Sequence, residues 1–395
     1  MTATIDTGVR TFEFSALDRV VHGVGALAQL PRLVDVISSR GVVVATTNSV
    51  LATDLVDQVR KSLGDRPVTV AGPIRAHTPV GDVEALEATI RETGADCVVA
   101  IGGSSVSDGV KIAALRAGGG TARAVVVDGV PILSESGLTE TSIPFIMIPT
   151  TLSVGEFNSG GGMVADGSTS KTIVLDERAI PWAVVFDPAV TLATPRDLWL
   201  SSGVKAVDHA IETLWSATPH PYGDALAAAS LPRLMSSLKR TALHPEDLEA
   251  RLESQIAAWM SIATMRNTGV RLSHILEHSI GSYWGLGHGI TSCVALPTVI
   301  EHLAGVVPEQ VSAVARALGV DDSAHDRAED TARAGAAALR AWIAELGLPG
   351  RLREVVDDMS GFDVVAEQTV VELEFFGQEH GGGRDAIRRL LERMW

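Results

Sequence analysis

The sequence predicts a protein of two parts, an α/β domain followed by an all-helical domain. The chain has 395 residues, more than a single hydrophobic core usually supports. Its first half alternates short β-branched runs with helical segments, whereas from about Pro195 helix formers recur at 3.6-residue spacing. Two prolines, Pro188 and Pro195, punctuate the junction. We therefore expect the α/β domain over residues 1–190 and the helical domain over residues 191–395.

The predicted strands are short runs that are apolar at almost every position. Such runs are typical of a parallel sheet whose two faces are both covered by helices. The runs are Val42–Ala45, Cys97–Ile101, Ala124–Val127, Phe145–Ile148 and Ala183–Phe186. We expect them to lie in one parallel sheet.

The predicted helices of the second half are long segments with few strand signals. Their apolar residues recur on one face, which favours helices packed around a shared core. The segments are Ala225–Leu243, Glu249–Met265, Arg327–Leu346 and Asp385–Met394.

Composition excludes several classes of partner and compartment. The formal net charge of -16 argues against nucleic acid and anionic membranes as partners, so an anionic ligand must be held by local groups. Cys97 and Cys293 lie in apolar runs and are expected to be buried, reduced thiols. Residues Met1–Arg10 are polar, and no stretch approaches the ~20 apolar residues of a membrane span. We expect a soluble cytoplasmic protein.

Two loops that follow predicted strands are rich in small and hydroxyl residues. The first, Gly102–Lys111, reads as a turn that opens directly into a helix, where backbone N–H groups and the helix dipole can hold a diphosphate. A plain tight turn is the alternative, since the segment is not a Gly-x-Gly-x-x-Gly motif. The second, Ile148–Glu156, supplies three hydroxyls, although an N-cap or turn would also explain its threonines. Together they indicate a dinucleotide crevice at the carboxyl edge of a Rossmann-like sheet.

Four histidines and a lysine form the second candidate site. His274 and His278 are four residues apart and share a helix face, and His288 follows after a bend rich in glycine and aromatic residues. His209 and Lys205 are likewise four residues apart on an earlier helix. Imidazoles in this spacing suit either a metal site or an acid-base site, and core or capping histidines are the alternative.

Taken together, these motifs resemble the iron-containing alcohol dehydrogenase family, and within it the maleylacetate reductases. The family's Gly-Gly-Gly-Ser-x-x-Asp-x-x-Lys segment matches Gly102–Lys111, except that Ser104 replaces the third glycine. Its Pro-Thr-Thr loop matches Pro149–Thr151, and the spacing from there to Glu156 is similar to that of the reductases, as is the local sequence His77–Val80. The resemblance covers essentially the whole chain and implies the fold that this family shares with dehydroquinate synthase.

The resemblance implies which residues bind a nicotinamide cofactor and which positions correspond to a metal site. The cofactor-binding candidates are Thr47, Gly102, Gly103, Ser104, Ser105, Asp108, Thr150, Thr151 and Ser153. The cofactor is NADH or NADPH, without a predicted preference, because the segment Thr46–Ser49 offers neither an acid for a ribose hydroxyl nor an arginine for a 2′-phosphate. His278 matches a histidine beside the nicotinamide. In metal-dependent relatives an aspartate and three histidines bind the ion; His209, His274 and His288 match the histidines, and Lys205 replaces the aspartate.

The lysine changes the expected chemistry. At ~4 Å and an effective dielectric of about 20, an ammonium repels each unit of positive charge by about 4 kcal/mol, so we expect no metal. If one is bound, His209, His274 and His288 are its expected ligands, with Asp208 as a further possibility. A charged Lys205 would attract a substrate carboxylate. The alternatives are a neutral amine with a pKa lowered by burial, or a side chain that reaches solvent.

We therefore expect an NAD(P)H-dependent, metal-independent reductase of a small anionic, unsaturated oxo-acid. Lys205, His209, His274, His278 and His288 are the expected catalytic residues. The alternatives are a metal-dependent alcohol or aldehyde dehydrogenase, a lyase similar to dehydroquinate synthase that uses NAD transiently, and a non-catalytic nucleotide binder. Relatives commonly assemble, so a homodimer is expected. The aromatic segment Phe375–His380 could pack on the site or on a partner.

Overall fold

The structure is a computed structural model that describes residues 12–119, 124–127, 130–133, 142–165, 171–216, 218–378 and 382–395. Its strands are β1 Arg19–His22, β2 Val42–Thr46, β3 Val68–Val70, β4 Cys97–Gly102, β5 Ala124–Val127, β6 Val130–Leu133, β7 Phe145–Pro149, β8 Gly160–Val164, β9 Lys171–Leu175 and β10 Ala183–Phe186. The polar segment Met1–Arg10 lies outside the described residues.

Helices separate the strands of the first half and account for nearly all of the second. They are α1 Leu30–Ile37, α2 Asn48–Leu51, α3 Leu55–Ser62, α4 Val80–Thr93, α5 Ser104–Ala117, α6 Arg196–Leu214, α7 Pro221–Leu243, α8 Leu248–Ile262, α9 Met265–Thr268, α10 Leu272–Trp284, α11 His288–Leu303, α12 Pro308–Ala317, α13 Ala328–Glu345, α14 Phe362–Phe375 and α15 Arg384–Met394. The four helices predicted from periodicity are confirmed, although the segment predicted as Glu249–Met265 ends as a regular helix at Ile262.

The central sheet has six strands in the order β1-β10-β7-β4-β2-β3, and all of its pairs are parallel. From β2 the chain first moves outward to β3 and then returns to β4 on the other side, so the direction of winding reverses between β2 and β4. Ligands of doubly wound sheets bind in the crevice that such a reversal opens at the carboxyl ends of the strands. Thr47 follows β2 directly, and Gly103 follows β4.

The predicted place of one strand was wrong. Ala124–Val127 does form β5, but it pairs antiparallel with β6 outside the central sheet. The chain reaches β6 within three residues, and a parallel crossover needs a dozen or more. The edge strands β1 and β3 were not predicted, because they are short and only partly buried and so carry no continuous apolar run.

Hydrophobic side chains cover both faces of the sheet. Val43 and Ala45 of β2 belong to the core on one face, and Val42 and Val44 belong to the core on the other, as the alternation of a strand requires. A third core fills the helical half. Cys97 and Cys293 are free and buried, as predicted.

Helix α6 lies at the centre of the helical half and is buried on nearly all sides. Residues Trp199–Thr213 are all buried, and at Gly203 an added Cβ would meet Leu238 of α7 at 2.5 Å. Polar side chains on such a helix must find partners inside the protein, because burying an unpaired charge is costly. Lys205, Asp208, His209 and Glu212 all lie on it.

The two halves meet in a short connection. The sheet ends at Phe186, a 3-10 turn follows over Pro188–Thr191, and α6 begins at Arg196. The predicted division between residues 190 and 191 falls in this turn and stays a prediction. No helix in the described part of the chain is long and apolar enough to cross a membrane.

Candidate active site

The loop after β4 is closely packed against its surroundings. An added Cβ at Gly102 would meet Val106 Cγ2 at 2.5 Å, and one at Gly103 would meet Thr151 Oγ1 at 2.9 Å. Only glycine fits at these two positions without displacing a neighbour. Helix α5 begins at Ser104, so the N–H groups of its first turn lie at the carboxyl end of the sheet, where they can bind an anion.

The Pro-Thr-Thr loop after β7 connects the two halves. The Thr150 N–H donates to the Gly102 carbonyl oxygen at 3.0 Å, which ties this loop to the one after β4. The Leu152 N–H donates to Ser202 Oγ of α6, also at 3.0 Å. The Thr151 hydroxyl donates to Ser153 Oγ at 3.2 Å. The loop that carries the hydroxyls predicted to contact a cofactor is thus held by the end of β4 on one side and by α6 on the other.

A buried lysine holds the far end of this loop. The Lys111 ammonium donates to the carbonyl oxygens of Gly155 at 2.6 Å and Gly160 at 2.7 Å, and to Asn158 Oδ1 at 3.1 Å. Burial lowers the pKa of Lys111 to about 8 and raises the pKa of the neighbouring Glu156 to about 7. Lys111 is the last residue of the segment predicted to bind the diphosphate, and its side chain stabilises the loop after β7.

The four histidines lie side by side. The ring centroids are 5.8 Å apart for His209 and His274, 4.6 Å for His274 and His278, and 5.1 Å for His278 and His288. Helices α6 and α10 supply the first three, and His288 is the first residue of α11. The histidine cluster expected from the spacing is therefore present.

Lys205 contacts His274 of this cluster and is also close to carboxylates. Its Nζ atom is 2.7 Å from Asp208 Oδ2, 2.7 Å from Glu277 Oε2 and 3.2 Å from His274 Nδ1. Its side chain is only 6% exposed, so it does not reach solvent. Burial opposes the charge, but Asp208, Glu277 and Glu212 outweigh it and raise the pKa of Lys205. The lowered lysine pKa considered above is therefore wrong, and the ammonium is already paired inside the protein.

The carboxyl groups around Lys205 outnumber it. Burial raises the pKa values of Asp208, Glu212 and Glu277. The Ser273 hydroxyl lies 2.7 Å from Asp208 Oδ1 and 2.7 Å from Glu212 Oε1. A hydroxyl has one proton to donate, so a proton held by one of these two carboxyl groups and donated to Ser273 would account for the second short contact.

The imidazoles differ in their partners. Burial, followed by the charge of Lys205, lowers the pKa values of His209 and His274 well below the usual range, so both rings are neutral. His278 Nδ1 lies 2.9 Å from Glu372 Oε1 of α14. Sequence reasoning missed Glu372 because it is 94 positions from His278 and no local motif includes it. Glu277 directly precedes His278 and Glu212 follows His209 by three residues, but neither belongs to a sequence motif that assigns it a role.

Lys205, the four histidines and the loops after β4 and β7 open into one cleft of about 1370 Å³ between the sheet and the helices. Of the predicted site residues, only Gly102 does not line it. The cleft is also lined by aromatic side chains that the sequence did not assign to a site, namely Phe14, Phe157, Tyr222 and Trp259. Phe375 and Phe376 line it too, so this part of the aromatic tail packs on the site, while residues 379 and 380 lie outside the described residues.

The cleft provides a test of whether a divalent metal ion fits. Within the described ranges, Asp208, Glu212 and His274 are the one group of three potential ligands whose atoms all lie within 4.8 Å of one another. This set differs from the expected His209, His274 and His288. The Lys205 ammonium bonds to two of its members, Asp208 and His274. A dication there would face a unit positive charge within a few ångströms, at a cost of about 8 kcal/mol at an effective dielectric of about 20. The residues therefore do not fit a metal ion while Lys205 is charged.

Two family profiles match this chain. The profile of iron-containing alcohol dehydrogenase matches residues 18–188, and that of the C-terminal part of the Fe-containing alcohol dehydrogenase family matches residues 199–395. A maleylacetate reductase of Burkholderia cepacia is 29% identical over 98% of both chains. One from Sphingobium indicum is 29% identical over 84% of this chain and 85% of its own.

Solved structures give the same fold. A 1,3-propanediol oxidoreductase matches with a TM-score of 0.86 and 20% identity, covering 98% of this chain and all of its own. Maleylacetate reductase from Agrobacterium tumefaciens matches with a TM-score of 0.79 and 26% identity, covering 98% of this chain and 99% of its own. With both halves matched by profiles of one family, this chain belongs to the iron-containing alcohol dehydrogenase family and is an NAD(P)-dependent oxidoreductase.

Proposed function

We propose that this protein is a metal-independent reductase that transfers hydride from NADH or NADPH to an unsaturated oxo-acid of the maleylacetate type. The observation that carries the proposal is the position of Lys205, whose ammonium bonds to Asp208 and His274, two of the three groups that a metal ion would need. An internal cation makes a second cation there unfavourable. The similarity to maleylacetate reductases over most of the chain supports the substrate class.

The proposed arrangement uses both sides of the cleft. The first turn of α5 and the loop residues Thr150, Thr151 and Ser153 would hold the cofactor, with its nicotinamide toward the histidines. Lys205 is paired internally, so we propose that the substrate carboxylate is met by imidazole N–H groups that line the cleft. Neutral imidazoles donate hydrogen bonds without adding positive charge.

Metal content and substrate range test the proposal together. The purified protein is expected to contain no stoichiometric iron or zinc and to oxidise NADH or NADPH with maleylacetate at an undiminished rate after chelation. Simple aldehydes are expected to be much poorer substrates. Recovery of lost activity when iron or zinc is added to the chelated protein would overturn the metal-free part of the proposal, whatever the substrate.

A metal-dependent alcohol or aldehyde dehydrogenase is the second candidate, because Asp208, Glu212 and His274 are close enough together to bind an ion. The variant Lys205→Asp separates the two candidates. On our proposal it removes the competing cation and supplies a carboxylate, so its metal content rises above that of the parent protein. If the protein is instead a metal-dependent dehydrogenase, the parent protein already contains a bound metal ion, so its metal content equals that of the variant. The expected homodimer stays a prediction, which the mass of the protein in solution tests.

A further inference from the structure

The lysine at the centre of the site determines where its neighbours carry their protons. An ammonium has three N–H donors and no acceptor. The Lys205 ammonium has three partners at hydrogen-bond distance, Asp208 Oδ2, Glu277 Oε2 and His274 Nδ1. Each of these atoms must therefore accept. The two carboxylate contacts of 2.7 Å keep the lysine protonated.

This bond selects one tautomer of His274. A neutral imidazole carries its proton on one nitrogen and accepts on the other, and the hydrogen bond made by one nitrogen decides the state of the other. Because His274 Nδ1 accepts from Lys205 at 3.2 Å, the ring proton must lie on Nε2. An imidazolium carries a proton on both nitrogens, so a ring whose Nδ1 accepts from Lys205 is neutral.

The selected proton lies on the edge of the ring that is turned away from Lys205. The His274 ring lines the cleft, and its side chain is 13% exposed. Its backbone N–H donates to Glu212 Oε1 at 3.0 Å, which fixes the start of α10 beside α6. Nδ1 faces Lys205, so Nε2 is the ring nitrogen left to face a bound molecule. A nitrogen that carries a proton has no lone pair for a metal ion, so the same bond removes Nε2 as a ligand.

We propose that Lys205 is a positioning residue that holds His274 as the Nε2–H tautomer, and that His274 donates this hydrogen bond to the substrate oxygen on which negative charge develops. This rests on the proposed function. Reduction of the C=C bond, for which bound NADH or NADPH would supply the hydride, forms a C–H bond at one carbon, and the π electrons move through the conjugated ketone to its oxygen. The resulting enolate then takes a proton from water at the other carbon. His274 keeps its own proton throughout and stabilises the oxygen by hydrogen bonding.

Nitrogen NMR of the intact enzyme tests the tautomer without any substrate. Protein labelled with ¹⁵N-histidine is expected to show His274 as a neutral ring protonated on Nε2, with the signal assigned by its loss in His274→Asn. In Lys205→Met the donor to Nδ1 is gone, and Glu212 Oε2, 3.6 Å from Nδ1, becomes the nearest acceptor. The ring proton is then expected to move to Nδ1. Lys239→Met is the matched control, since it removes a half-exposed lysine paired with Glu345 and should leave the His274 signals unchanged.

Each outcome decides the proposal. An Nδ1–H or doubly protonated His274 in the parent enzyme overturns it, and this needs no variant to fold. An unchanged tautomer in folded Lys205→Met also overturns it, because Lys205 would not be the residue that sets it. For the donor role, His274→Asn is expected to lower kcat about 100-fold or more while NAD(P)H binding stays the same. If the tautomer is as expected but no oxo-acid is reduced, the proposed function fails while the positioning by Lys205 stands.

Discussion

Removing the charge of Glu156 should stabilise the protein in a way that depends on pH. Glu156 is 2% exposed and lies in the loop that Lys111 holds together. Burial raises its pKa from 4.5 to about 7 in spite of the nearby ammonium. Below pH 4.5 the carboxyl group is neutral in both the folded and the unfolded chain, so it contributes no penalty. As the pH rises, the unfolded chain ionises first and the folded state loses stability, until both are ionised above about pH 7.

The size of this effect follows from the pKa shift. Each unit is worth about 1.4 kcal/mol, so the shift from 4.5 to about 7 corresponds to about 3 kcal/mol of lost stability above pH 7. Glu156→Gln keeps the shape and removes the ionisation. Its gain in stability should be below about 1 kcal/mol at pH 5 and approach about 3 kcal/mol at pH 8, a figure that already includes the attraction to Lys111.

Thermal unfolding of the parent and Glu156→Gln proteins between pH 5 and pH 8 measures this difference. We expect the melting temperature of the variant to exceed that of the parent by an amount that grows with pH. Glu177→Gln is a suitable control, because that carboxylate is 61% exposed. A difference between parent and Glu156→Gln that stays constant across the range, or that favours the parent more at pH 8 than at pH 5, would refute the assignment of a raised pKa to Glu156.

Two further predictions concern the packing of the site. Lys205→Met should destabilise the protein by about 3–5 kcal/mol, because it leaves buried carboxylates without their cation. Adding Glu277→Gln to this variant should recover part of the lost stability. Thermal unfolding of the single and double variants measures both effects. Gly289→Ala should cost at least about 1–3 kcal/mol, because its Cβ would overlap the backbone of Ser201 where α11 meets α6. Gly287→Ala is its matched control, with nothing within 4 Å of the added Cβ, and equal melting temperatures for the two alanine variants would contradict the packing.

Much of the architecture could be predicted because its signals are local. Four of the five predicted strands lie in the parallel sheet, since residues buried on both faces form continuous apolar runs. The histidines of α10 could be grouped because four-residue spacing places them on one helix face. The edge strands and the β5–β6 hairpin could not be placed, because partial burial and strand pairing leave no comparable pattern in one sequence.

The state of Lys205 could not be read from the sequence for a different reason. Its partner Glu277 is 72 positions away, and only the packing of α10 on α6 brings the two together. The sequence alone therefore left the lysine free to point at solvent, at a substrate or at a metal site. Glu372 beside His278 is a similar case. Local spacing identified the residues of the site, and tertiary contacts decided their charge and hydrogen-bond roles.

Lys205, at the position where metal-dependent relatives have an aspartate ligand, changes the hydrogen-bond donors of the site as well as its charge. A dication would bring two positive charges and no hydrogen-bond donor, whereas Lys205 brings one charge and three donors, all of them used by Asp208, Glu277 and His274. One positive charge cannot balance three buried carboxylates, and a proton on Asp208 or Glu212 would both reduce this imbalance and account for the two short contacts of the Ser273 hydroxyl. On the proposed function, such a site would stabilise a developing oxyanion by hydrogen bonds and not by Lewis acidity. It would then favour an acceptor that is already activated, such as a C=C bond conjugated to a ketone, over an isolated aldehyde or alcohol.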